Sequence, residues 1–249
     1  EKKLLEILSE QYIKLSKDKV KFVLINKLNN DKIITEQNLG YKNEINIDNI
    51  KIKFTDGIKI KSDKNKRILE INQTKKTAKI LIYESLIENW NIKIRGPNKL
   101  ASKMINALGV SSEENNRHLG CITFKHIKFI NVSLDVNNLG CKNSTHILNS
   151  NGNIIKYISR NTSNDALDID FSNIKFEDVK ILNSGSECIS LKTGYYKFSN
   201  IVAGNCMHGI SIGENGFLEI ENLNFSSADI ALTSKDSSTI DLKNAKIGN

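Results

Sequence analysis

The sequence predicts an all-β chain wound as a right-handed parallel β-helix, a solenoid of about 22 residues per rung with an N-terminal capping helix. Three observations carry this expectation. Steps of 22 residues from Ile174 and Phe176 land on Tyr196 and Phe198, on Leu218 and Ile220, and on Ile240 and Leu242. Two further apolar columns keep the same period, Val179–Ile201–Leu223–Ala245 and Ile181–Ala203–Phe225–Ile247, and polar residues alternate with them as in strands. A polar column, Asp178, Asn200, Asn222 and Asn244, falls between the strands. Asparagine accepts left-handed backbone and bonds its own chain at turns, and at the roughly 4.8 Å spacing of stacked strands such residues can form a ladder. No unit of this length buries its apolar face alone, so a core exists only by stacking.

Along the chain, residues 1–16 place Leu4, Leu5, Leu8, Tyr12 and Leu15 at helical spacing and read as a cap over the open end of the stack. Residues 17–249 form the β-helix, with the alternating runs 45–52, 58–60, 80–82 and 90–94 as early rungs. Residues 96–119, with Leu100, Met104, Ile105 and Leu108, read as an inserted loop or short helix, either packed on the solenoid wall or forming one side of a cleft. Ile127, Phe129, Asn131, Val132 and Leu134 reproduce the unit 47 residues upstream of Ile174, Phe176, Asp178, Val179 and Ile181.

The net charge is +8, yet lysines such as Lys51, Lys53, Lys59 and Lys61 alternate with isoleucines, as on the solvated face of a sheet. No nucleic-acid partner is expected; an anionic polysaccharide is the partner that such a charge would suit. There is no membrane-spanning run and no signal peptide. The chain begins at Glu1, as a piece of a larger protein would, so the compartment stays open. Cys121, Cys141, Cys188 and Cys206 lack zinc-binding spacing; they read as buried free thiols, with the pairs Cys121–Cys141 and Cys188–Cys206 as the alternative for an exported protein.

Chemistry has one place to sit. Asp165, Glu187, His208 and Asp229 recur at about one rung apart and should share a surface. Two carboxylates at suitable separation, one protonating the leaving oxygen and one activating water, make an inverting glycoside hydrolase, and an imidazole beside them could orient a carboxylate or bind a sugar hydroxyl. Turn positions of a solenoid favour Asp, Asn and Ser without any catalysis, so the column has a purely conformational reading too. The stretch DALDID sets Asp165, Asp168 and Asp170 close together. It has the oxygen chemistry that Ca²⁺ takes, but the expectation is a solvated acidic edge and no cofactor.

The segment NTSNDALDI…SGSECISLKTG…NCMHGISIGENG resembles the core of the polygalacturonase family, which has the pectin-lyase-like β-helix fold. The resemblance sets Asp165 at the aspartate of that family's Asn-Thr-Asp motif, Ser186 and Glu187 at its paired aspartates, and His208 at its histidine. Ser-Glu replaces Asp-Asp, Met207 replaces a glycine, and Ala231-Leu232-Thr233 stands where Arg-Ile-Lys is expected, which leaves Lys235 as the one substitute for the lost cations. The phrases IYESLIENWNIKI, GCITF, SNDALDIDFSN, HGISIGE and IALTSKD are similar, over residues 80–244, to the β-helix domain of bacterial CotH-type and related surface- or capsule-associated proteins. That likeness implies a fold and an extracellular, cell-surface or periplasmic setting, not a reaction. Asp168, Lys192, Glu214, Lys235 and Asp236 are the polar residues expected to bind substrate beside Asp165, Glu187 and His208.

Three functions follow as expectations. The first is a polysaccharide-associated β-helix that binds or processes a glycan along its face, with degenerate or absent hydrolase activity. The alternatives are an active inverting hydrolase using Asp165 and Glu187, and a structural or adhesion module of a larger protein. An exposed row of aromatics would favour glycan binding; Tyr195, Tyr196 and Trp90 are the candidates, each expected in the core.

Overall fold

Inward-facing residues that recur once per turn must meet their counterparts from the neighbouring turns, and in this chain they do. The structure, a computed structural model, describes residues 40–97 and 120–248. The 1–16 cap and nearly all of the 96–119 insertion lie outside the described residues. Fifteen strands are described: β1 (Asn43–Ile47), β2 (Ile50–Phe54), β3 (Ile58–Asp63), β4 (Ile68–Gln73), β5 (Ile80–Glu88), β6 (Asn91–Arg95), β7 (Gly120–Asn137), β8 (Asn143–Leu148), β9 (Asn151–Thr162), β10 (Asp165–Ser184), β11 (Glu187–Gly204), β12 (His208–Gly213), β13 (Phe217–Ser226), β14 (Ile230–Ser234) and β15 (Thr239–Gly248). Among β4 to β15 all pairing is parallel, while β2 and β3 join this stack antiparallel at β5 and β4, and the chain forms a β-solenoid of about seven turns with about 22 residues each. There is no helix among the described residues.

Each turn has three straight segments, and the long strands β7, β10 and β11 run through all three. Sheet I stacks residues 80–83 of β5, the starts of β7, β10 and β11, and all of β8, β12 and β14. Sheet II stacks the ends of β5 and the middles of β7, β10 and β11 with the starts of β9, β13 and β15. Sheet III stacks β4, β6 and the C-terminal parts of β7, β9, β10, β11, β13 and β15. The columns seen in the sequence are these stacks: Ile174, Tyr196, Leu218 and Ile240 are register partners, as are Phe176, Phe198, Ile220 and Leu242. Their side chains line one continuous buried core. Phe176 and Phe198 stack face to face, 4.7 Å between centroids.

The corners are left-handed where the sequence reading did not put them. Asp178, Asn200, Asn222 and Asn244 form the expected amide ladder, with side-chain bonds of 3.0, 3.1 and 3.2 Å, but none of them has positive φ. The left-handed backbone lies instead at a second ladder, Asn138, Asn161, Asn183 and Asn205, between sheet III and the next turn. Between sheets I and II each corner is left-handed as well, at one residue in the earlier turns (Glu84, His126, Asn149, Phe171 and Thr193) and at two in the last turns (Glu214 and Asn215, Asp236 and Ser237). Next to Thr193, Gly194 (φ +154°) is obligatory, because a Cβ there would lie 2.1 Å from the Ser172 carbonyl oxygen.

Two early expectations are corrected. Residues 45–52 and 58–60 are not rungs: β1–β2 and β3–β4 are antiparallel pairs. The two-residue link Asp48–Asn49, with Asp48 at φ +50°, turns the chain straight back. Alternation in sequence is the same for a hairpin and a rung, so it could not separate them. The 47-residue alignment is also one pleat out of step. Phe129 stacks on Gly152 and hence in line with Ile174, and Leu134 stacks on Tyr157 and Val179, so the same offset holds on both sides of the irregular stretch between Phe129 and Ser133.

All four cysteines are paired, as Cys121–Cys141 and Cys188–Cys206, with Cα separations of 5.4 and 5.6 Å, which corrects the free-thiol expectation. The spacing between cysteines could not show that both bonds make the same connection. Each ties a strand start in sheet I to the residue two before the next strand in that sheet.

Candidate functional site

Sheet I begins each turn at one position, and there the register collects Asn143, Asp165, Glu187 and His208. Asp165, Glu187 and His208 are all half-buried. Asp229 is not among them, because His208 pairs with Ile230 and the Asp229 amide goes to the Met207 carbonyl. Asp165 is engaged with the next turn: the Glu187 N–H donates to its Oδ1 at 3.0 Å. Glu187 in turn accepts the Ser211 hydroxyl at Oε2, 2.9 Å away. Burial holds the Asp165 carboxyl above its ordinary value, in spite of the Glu187 amide that favours the ionised form.

A raised folded-state value has a defined consequence. Asp165 is stabilising when protonated, below the ordinary carboxylate range, and that contribution is lost as pH rises through its folded value. Relative to wild type, Asp165→Asn should therefore gain stability as pH rises from about 3.5 to about 7, through and above the ordinary carboxylate range. Urea midpoints at the two pH values measure this; a difference that stays flat or reverses contradicts the assignment.

The other expected binding residues are dispersed. Lys192 lies at the end of the sheet I stretch, paired with Asp170 and Gly213. Glu214, Lys235 and Asp236 are exposed at the turns that follow β12 and β14, with Glu214 at φ +56° and Asp236 at φ +51°. The Glu214 carbonyl accepts the Thr193 hydroxyl. None of these three adjoins Asp165 in the register.

Asp168 and Asp170 are not a solvated edge. They are 7% and 4% exposed, on the outward side of sheet I, and face a wholly buried His146 from β8. His146 Nε2 lies 3.1 Å from Asp170 Oδ2, and the Asn143 amide nitrogen donates to Asp168 Oδ2. Burial, then the neighbouring Asp170, pushes the Asp168 carboxyl up to about 6; His146 and Lys192 oppose this. His146 and Asn143 were missed in the sequence, although one 22-residue step back from Asp168 and Asp165 reaches them.

Aromatics complete the outer surface. Trp90 and Tyr196 are in the core, but Tyr195 is not: it is 46% exposed and stacks on Phe217, with centroids 5.5 Å apart and rings within 7° of parallel. Phe171, one turn earlier at the corner of sheets I and II, is 53% exposed at φ +51°. The Tyr195 hydroxyl donates to Glu219, which also receives Lys197 (2.9 Å) and Lys243 (3.1 Å). These donors hold the Glu219 carboxyl down, at about 2.

No protein-family model, curated protein or solved structure matches this chain. No helix among the described residues is long and apolar enough to cross a membrane.

Proposed function

We propose that this β-solenoid binds a polysaccharide along its outer face and does not depend on hydrolysis for its role. The observation that carries the reading is the set of exposed aromatics on three successive turns, Phe171, Tyr195 and Phe217, beside the Lys197–Glu219–Lys243 cluster. Flat amphipathic rings suit the apolar faces of sugars, and a solenoid repeats its surface at a fixed interval, as a polymer repeats its units. Phe171 strengthens the case. Its left-handed backbone is what each corner between sheets I and II has, so it is the 53% exposure of the ring that bears on binding. The net charge of +8 favours an acidic glycan, and two disulfides suit an oxidising, extracytosolic setting. The motif resemblances to CotH-type surface proteins and to polygalacturonases, read from the sequence alone, point toward the same glycan-binding reading.

One observation favours a second reading, hydrolysis. Asp165 and Glu187 are neighbours on successive turns, and burial raises the Asp165 carboxyl toward an acid-like state. Against it, both carboxylates already accept hydrogen bonds from within the stack.

One experiment separates the readings. Oligosaccharides of neutral and uronic-acid sugars are titrated into wild type and a Tyr195→Ala/Phe217→Ala double variant, and reducing-sugar release is followed in parallel with wild type and Asp165→Asn. We expect saturable binding of an acidic oligosaccharide, weakened about 30-fold in the double variant, since aromatic contacts contribute on the order of 1 kcal/mol each. Binding unaffected by the double variant removes the aromatic face from the proposal. Sugar release that disappears with Asp165→Asn replaces it with the hydrolase, and no binding of any glycan leaves the structural module.

A further inference from the structure

Two aspartates and a histidine buried side by side are costly unless something satisfies them. Isolated buried carboxylates lose several kcal/mol of hydration, and one imidazole, even if protonated, balances only one of two negative charges. Lys192, one turn on, makes no ion pair with either carboxylate among the described residues. The polar atoms of the group are left incomplete. Asp168 Oδ1, Asp170 Oδ1 and Asn143 Oδ1 have no hydrogen-bond partner, and neither does His146 Nδ1. Native interiors leave few such atoms, and here four fall in one place.

The three oxygens among these atoms are placed where a shared ion could take them up. One ligand atom from each of His146, Asp168 and Asp170 lies within 4.8 Å of the others, close enough to share a single ion. Asn143, 3% exposed, is already directed into the group by its bond to Asp168, and its Oδ1 supplies a further oxygen with nothing else to bind. The 3.1 Å between His146 Nε2 and Asp170 Oδ2 is close to the separation of two ligands about 2.0–2.2 Å from one tetrahedral metal. We infer that His146, Asp168 and Asp170, with Asn143 as an added oxygen donor, form a structural site for a first-row divalent transition metal of the Zn²⁺ type.

Ligand chemistry selects the ion. Ca²⁺ and Mg²⁺ take oxygen donors, whereas an imidazole beside carboxylates suits Zn²⁺ and its neighbours. To ligate through Nε2, neutral His146 carries its proton on Nδ1, and the contact with Asp170 is replaced by two bonds to the shared ion. Burial sets the role. A wholly enclosed histidine leaves no open position for substrate, so the ion would tie β8 to β10, one turn to the next, and not act in catalysis.

The test uses the full chain, stripped with EDTA, dialysed and kept oxidised so that no thiol competes. Zn²⁺ is titrated by calorimetry at pH 7, and thermal melts are recorded with and without it. The expected result is one Zn²⁺ per chain at micromolar affinity or tighter, a raised melting temperature, and much weaker binding of Ca²⁺. Asp168→Asn and Asp170→Asn, which keep size and shape, should each weaken Zn²⁺ by about 100-fold or more. Absence of binding at millimolar Zn²⁺, or unchanged affinity in both variants, overturns the site. Should the variants lose their β-sheet circular dichroism, Co²⁺ added to the stripped wild type decides: visible bands of a low-symmetry nitrogen and oxygen site support it, and the spectrum of hydrated Co²⁺ alone refutes it.

Discussion

Phe198→Ala is expected to destabilise the solenoid by about 3–5 kcal/mol, the range for removing a large aromatic from a well-packed core. Phe198 is fully buried, lies flat on Phe176 and is followed one turn later by Ile220. Its loss removes contact area from two interfaces at once, since the ring fills the gap both above and below its own turn. In a stacked fold each turn is held chiefly by its neighbours, so the damage should not spread evenly. The turns on the C-terminal side, β13 and β15, have few partners beyond the damaged interface, and Ile247 is already 54% exposed at that end. Hydrogen exchange should therefore speed up in β13 and β15 well before β7 and β9, with a lowered urea midpoint. Uniform acceleration across all turns would mean that the chain unfolds as a single unit and that the nearest-neighbour account is wrong.

What the sequence disclosed follows the same logic of stacking. From β10 to β15 a column read at one-turn steps is a physical stack, because a residue inserted or deleted within a strand would turn the side chains beyond it to the wrong face, and the one short step, from Glu187 to His208, is made up at the corners. That is why Ile174 and Phe176 lead correctly to Ile240 and Leu242, and why Asp165, Glu187 and His208 meet. Where the chain departs from the period, at the irregular stretch of β7 and in the hairpins before β4, composition is unchanged and only pairing reveals the difference. The candidate sites divide in the same way. Position along the turn was legible for Asp165 and Asp168, but burial was not: the alternation that marks Leu167 and Ile169 as inward marks Asp168 and Asp170 as outward, and outward suggested solvent. Tyr195 erred in the opposite sense. It adjoins Tyr196, and alternation allows only one of two consecutive residues to face the core; the buried one is Tyr196, whose hydroxyl donates to the Lys192 carbonyl at 2.6 Å.

Reduction of both disulfides should cost on the order of 3 kcal/mol apiece, because each closes a loop near 20 residues and so restricts the unfolded chain. Their placement makes the estimate more than a matter of loop length. Cys121 and Cys188 occupy the same place on sheet I, and Cys141 and Cys206 each stand two residues before the following strand, Asn143 and His208 being register-equivalent through Asp165 and Glu187. The bonds thus fasten the beginning of one turn to the beginning of the next, at two levels of the same wall. They border the polar column at both levels, since Asn143 and His208 immediately follow the half-cystine segments. Melting with and without a phosphine reductant should show a lower midpoint and a broader transition once the turns are no longer fastened. The freed thiols of Cys121 and Cys188, both wholly buried, remain compatible with the core, so the fold should survive at moderate temperature. An unchanged midpoint after complete reduction, checked by thiol titration in denaturant, would show that stacking alone sets the stability and that the cross-links add nothing to it.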